Sequence, residues 1–114
     1  MQANINQFNF QTPLSIDDFD TLDQLENGNY EKIYKAKYKK TGALYALSIR
    51  KKECMENQFH RLDFLREKEI LYDLTKRNHP HIIKLYTDFE DQNNIYLVME
   101  LCEGIPLSKL RGDV

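Results

Sequence analysis

The chain has 114 residues, 41% of them hydrophobic and 30% charged, with a formal net charge of −2. This is the composition of one small globular domain, long enough to bury roughly 65% of its unfolded surface, and the near-neutral balance gives no electrostatic reason to expect a nucleic-acid partner. No apolar run approaches the roughly 18 residues of a membrane span, the polar start lacks the zones of a signal peptide, and no Asn-x-Ser/Thr acceptor occurs.

Residues 1–17, rich in Asn and Gln, are expected to form an irregular arm that is ordered only where Phe8 and Phe10 dock. Residues 19–26 read as a first strand. The turn that follows carries one glycine, Gly28, with Glu26 and Glu31 on either side of it. Residues 32–38 read as a second strand, with Ile33 and Ala36 apolar and Lys32, Lys35 and Lys37 suited to a solvated face or sheet edge. Thr41-Gly42 turns the chain into a third strand over 44–49, and a polar connection occupies 51–57.

Residues 58–76 form the longest helical stretch. On a 3.6-residue wheel Phe59, Phe64, Ile70, Leu71 and Leu74 make one broad apolar face, and Glu67 falls in its middle. A carboxylate there is costly unless the helix is only half buried or a cation meets it. By alternation Arg50 and Lys52 lie on the same side of the third strand as Ser48.

Pro80 disfavours helical geometry at His79 and stops the helix. Residues 82–89 read as a fourth strand, 90–94 as a hairpin turn and 95–101 as a strongly apolar fifth strand. Pro106 could open a short helix over 107–111. His79 and His81 have no third ligand nearby, so no metal site is expected. Cys54 and Cys102 have no ligand spacing and read as reduced thiols of a cytoplasmic or other intracellular protein, a cytoskeletal or organellar assembly included. Arg111-Gly112-Asp113 spells an adhesion tripeptide and reads as chance. The order βββαββ predicts an α+β domain: a five-stranded antiparallel sheet with one large helix on a face.

On these residues the chain resembles the amino-terminal lobe of a eukaryotic Ser/Thr protein kinase of the Aurora or phosphoinositide-dependent kinase type. Thr41-Gly42-Ala43-Leu44-Tyr45-Ala46-Leu47 is similar to the run entering the third kinase strand. Glu67-Lys68-Glu69-Ile70-Leu71 is similar to the αC motif, and His79-Pro80-His81-Ile82-Ile83-Lys84-Leu85-Tyr86 to the turn into the fourth strand. Ile95-Tyr96-Leu97-Val98-Met99-Glu100-Leu101-Cys102 is similar to the fifth strand and hinge. The resemblance implies a kinase-like lobe over 18–105, preceded by the arm and followed at 106–114 by the start of a truncated hinge and αD segment. The interval from Glu67 to Pro80 is about three residues longer than the family's.

The resemblance also implies a degenerate nucleotide site at Gly28, Ile33, Ala46, Ser48, Glu67, Met99, Glu100 and Cys102, with Met99 at the gatekeeper position. In the family three glycines let a loop cover the nucleotide phosphates. Here Glu26, Gly28 and Glu31 stand at those places, and a carboxylate about 5 Å from a phosphate charge costs roughly 3 kcal/mol at an effective dielectric of 20. The strand-three lysine, which holds phosphate and pairs with the αC glutamate, is Ser48. A serine is too short to bridge those groups and carries no charge, which leaves Arg50, on the same side of that strand, as the candidate substitute partner of Glu67. No catalytic base or metal-binding Asp-Phe-Gly occurs in the chain, and His60-Arg61-Leu62-Asp63 lies within the helix.

The expectation is therefore a catalytically inactive kinase-like lobe, with no cofactor, serving as a structural or interaction subunit of a larger assembly. A protein partner would cover its open lower face. The interface candidates are Phe8, Phe10, Val98, Leu101, Ile105 and Leu107, with Met99 and parts of Leu25 and Ile33 expected to lack cover as well. The alternatives are an N-terminal fragment of a longer Ser/Thr kinase or pseudokinase, and a module that binds ATP without catalysis.

Overall fold

The computed structural model describes residue 10 and residues 13–56, 58–77 and 83–102; the side chains of residues 58–60 are not described. Five strands, β1 (Phe19–Asn27), β2 (Glu31–Tyr38), β3 (Leu44–Lys51), β4 (Leu85–Glu90) and β5 (Asn94–Met99), form one sheet, and the helix α1 (Gln58–Lys76) lies between β3 and β4 in the chain. The sheet order is β1-β2-β3-β5-β4, with every neighbouring pair antiparallel. This is the α+β architecture expected from the order of elements.

The turns follow from local chemistry. Ser15 opens a single 3-10 turn, Ile16–Asp18, through a capping box in which the Asp18 carboxylate accepts the Ser15 N–H at 2.9 Å. Between β2 and β3 the chain reverses at Gly42, whose φ of +79° a side chain would oppose, and its N–H donates to the Tyr38 carbonyl at 2.7 Å. Between β4 and β5 the Asp91 carboxylate accepts the Asn93 and Asn94 N–H groups at 2.9 and 2.8 Å and the Tyr96 hydroxyl at 2.7 Å. Lys52–Met55 makes a 3-10 turn where a plain polar connection was expected, and buries Met55.

Strand alternation sorts the apolar residues into two layers. Under α1 lie Ile33, Ala46, Leu85, Leu97 and Met99, packed with Phe64 and Leu71 of the helix and with Met55 and Ile83. The opposite face carries Phe19, Ala36, Tyr38, Leu47, Tyr96 and Val98, covered by Phe10.

Four expectations need correction. First, the helix buries a stripe centred on Phe64 and Leu71, residues two turns apart, while Ile70 is 52% exposed. The wheel weighted every apolar residue equally, whereas the direction of burial is set by the sheet. Glu67 therefore lies at the margin of the buried stripe, not at its centre. Second, β4 starts at Leu85 instead of Ile82, because the Leu85 N–H donates to the Thr75 hydroxyl of α1 at 2.8 Å and the register against β5 shifts between Leu85 and Thr87.

Third, Phe10 is no free contact: its ring sits 5.2 Å from that of Tyr38 and 5.4 Å from that of Tyr45. Fourth, Val98, Met99 and Ile33 are fully buried, since the chain's own two layers cover both faces of the central strands. Of the other interface candidates, Leu101 is partly buried against the helix-side core, and Phe8, Ile105 and Leu107 lie outside the described residues. Leu25, on the edge strand β1, is exposed.

Candidate functional site

The β1–β2 turn is closed by the Gly28 N–H donating to the Glu31 carbonyl at 2.8 Å. A Cβ at position 28 would stand 3.0 Å from that same carbonyl oxygen, a tight contact that favours glycine where the backbones approach. Tyr30 at the tip is exposed. The turn delivers Glu31 as the first residue of β2, and the β2–β3 register sets Ile33 opposite Ser48 and Glu31 opposite Arg50. Paired residues share a face, so Glu31, Ser48 and Arg50 all point towards the helix layer.

There the three side chains meet. The Ser48 hydroxyl, on a residue only 1% exposed, donates to Oε2 of Glu31. Arg50 Nη2 lies 3.2 Å from the same Oε2 and 3.4 Å from Oε1 of Glu67 on α1. The guanidinium rests over the Phe64 ring, 4.7 Å from its centroid. The side chains of Arg50 and Glu31 are 13% and 15% exposed, that of Glu67 31%. One guanidinium nitrogen therefore serves two carboxylates, and neither contact reaches the roughly 2.7–2.9 Å of a strong charge-assisted bond. The shorter and more buried of the two goes to Glu31.

Arg50, the candidate substitute partner suggested by the kinase resemblance, does meet Glu67, and Glu67 is also half exposed. Both readings of a carboxylate on the helix face hold together. What the sequence reading missed is Glu31: it saw a carboxylate repelling phosphate, and the structure shows one bonded to Ser48. Counting back from the Gly42 turn along the two strands would have paired Glu31 with Arg50.

A second polar group beside Phe64 was also missed. Lys68 Nζ lies 3.1 Å from the Asp88 carboxylate and 5.7 Å from the Phe64 centroid, and the Tyr72 hydroxyl donates to Asp88. Burial first, then the hydrogen bond and charge of Asp88, hold the Tyr72 phenol above its ordinary pKa, so it stays a neutral donor. The signal was an acid at position 88, in the middle of β4 between Thr87 and Phe89.

The remaining expected site residues form the end of the core. Ala46 and Met99 are register partners on β3 and β5, and both are fully buried, as is Ile33. Glu100 is tied to the chain before β4: its N–H donates to the Lys84 carbonyl at 2.9 Å, and its carboxylate accepts the Lys84 N–H at 3.3 Å. Cys102 is half buried, and its thiol pKa is raised by burial and then by the Glu100 charge, which keeps it protonated. Among the described residues no group of three His, Cys, Asp or Glu side chains could hold a metal ion, and no helix is long and apolar enough to cross a membrane.

The arrangement has counterparts in known proteins. The 3-phosphoinositide-dependent protein kinase 1 of Arabidopsis thaliana is 33% identical over 108 residues, covering 90% of this chain and 21% of that protein. The Aurora kinase of Saccharomyces cerevisiae is 37% identical over 97 residues, covering 85% and 26%. The calcium-dependent protein kinase 5 of Plasmodium falciparum is 40% identical over 81 residues, covering 71% and 13%. The chain thus spans about a quarter or less of the length of these curated relatives. Residues 19–112 match the protein kinase domain, and with the five strands and single large helix in the order of a kinase amino-terminal lobe, the chain belongs to the protein kinase family.

Proposed function

We propose that this lobe is a catalytically inactive kinase-like module that binds no nucleotide and works through protein contacts in a larger assembly. The observation that carries the reading is Ser48. It stands where the family's strand-three lysine belongs, it is buried, and its hydroxyl is committed to a carboxylate. Ile33 and Ala46, also expected in the nucleotide site, have no exposed surface on which a base could rest. Apolar surface is offered elsewhere: Leu62, Leu65 and Ile70 on the outside of α1, and Leu22 and Leu25 on the β1 edge. A protein partner with an apolar contact strip fits that surface.

Thermal unfolding with millimolar ATP and magnesium tests the reading. A ligand at a hundred times its dissociation constant stabilises by about 2.7 kcal/mol, which for a domain of this size raises the midpoint by roughly 10 °C or more. No shift is expected. A rise of that size overturns the reading.

One observation favours a second reading, the lobe of a longer active Ser/Thr kinase: Arg50 reaches the αC glutamate, Glu67, from β3. Phosphotransfer by the natural full-length product, abolished by Arg50→Met, would establish it.

A further inference from the structure

We propose that the Glu31 carboxylate is a resident anion occupying a latent oligophosphate site, so that one side chain keeps Ser48 and Arg50 from a phosphate chain. The inference deepens the nucleotide-free reading above and rests on it. Three observations carry it.

The first is chemical. Glu31 takes up two donors suited to a phosphate oxygen, a hydroxyl and a guanidinium, on a single carboxylate oxygen. The second is an unused donor. Arg50 Nε is buried and has no hydrogen-bond partner, while Nη2 of the same side chain is shared by two carboxylates. Held from β2, the Glu31 carboxylate meets Nη2 from a position that leaves Nε unmet. A phosphate chain presents several acceptors and matches that edge.

The third is electrostatic. Glu31, Arg50 and Glu67 together carry a formal charge of −1, which repels an anion. Without the Glu31 charge the group is one cation and one carboxylate, and a phosphate chain meets a neutral pair with a buried donor to spare. Position 31 lies next to the turn that Gly28 closes, so the blocking group is carried by the hairpin and not by the core.

The test is calorimetric titration of the 114-residue chain with inorganic tripolyphosphate and, separately, with ATP, both without metal. The native chain, Glu31→Gln, Glu31→Gly and the double variant Glu31→Gln/Arg50→Met are compared, each first shown to melt cooperatively. Both single variants are expected to bind tripolyphosphate and ATP at least tenfold more tightly than the native chain, and the double variant to lose the gain for both. The Arg50 Nε–H resonance should move on adding tripolyphosphate to the single variants and stay fixed in the native chain.

Folded single variants without the gain, or a gain that survives Arg50→Met, overturn the inference. A gain for ATP alone does so too, since the phosphates are then not what is read. If the native chain and the variants are equally silent, the resident-anion proposal falls and the contact-module reading stands. A native chain that binds ATP, with a tenfold gain in the variants, brings the opposite result.

Discussion

The two faces of the sheet solve the same packing problem with different chemistry. The face away from α1 is aromatic: Phe10, Phe19, Tyr38, Tyr45, Tyr86, Phe89 and Tyr96 form a continuous series of ring contacts with centroids 4.7 to 5.8 Å apart. The face beneath α1 is aliphatic at its centre and ionic at its margins, where Arg50 and Lys68 approach Phe64 from β3 and from the helix. Ring contacts depend on shape and persist in any salt. The charged margins depend on pairing, because each partner removed leaves another stranded in a partly desolvated place. Stability should therefore be concentrated on one face, and the capacity to respond to a ligand on the other.

The largest effect that tests this contrast is Tyr38→Ala. The side chain is fully buried and touches the rings of both Phe10 and Phe19. Its loss should cost about 3–5 kcal/mol in denaturant unfolding; a cost below about 1 kcal/mol would mean that the aromatic face does not hold the fold.

Arg50→Met comes next. It removes the guanidinium that Glu31 and Glu67 share, and discounting for the exposure of Glu67 the expected cost is about 1–3 kcal/mol. Adding Glu31→Gln should recover part of it. If the double variant is no more stable than the single one, the two carboxylates do not depend on Arg50.

Tyr72→Phe should cost about 0.5–1.5 kcal/mol through the lost bond to Asp88. Lys68→Met in the same background should show non-additivity, since both side chains share that carboxylate. Simple additivity would show two independent contacts.

The smallest effect concerns pH. The Tyr96 hydroxyl, followed by the Asn93 and Asn94 N–H groups, holds the Asp91 carboxyl below the usual carboxylate range. A depressed folded pKa gives a stabilising contribution that is full above the unfolded value of about 3.9 and is lost as pH falls through the folded value. Asp91→Asn should flatten the acid limb of a stability–pH curve slightly and leave neutral pH almost untouched. An unchanged acid limb would show that the turn bonds do not favour the ionised form.

Much of the fold was legible because it is local. Alternation marked β2 and β3, Gly42 marked the reversal between them, and α1 was bounded by Pro80 beyond it and a polar connection before it. The candidate site was only half legible. A serine at position 48 is a fact of one position, and the strand period puts Arg50, two residues on, on the same side. The partner of Ser48 was hidden, since Glu31 belongs to another strand and its meaning depends on the β2–β3 register. Val98 failed as an interface candidate for a related reason: an apolar residue on a central strand reads the same whether its cover is another molecule or, as here, the chain's own aromatic layer.

The order of the elements and the uncharged serine at position 48 were determined by the amino-acid sequence alone, because residue identity and short-range periodicity act within a few neighbours. Where the charges go was decided only by the tertiary structure. Glu31, Arg50 and Glu67 come from β2, β3 and α1, and nothing short of the folded sheet with its helix in place brings two carboxylates to one guanidinium.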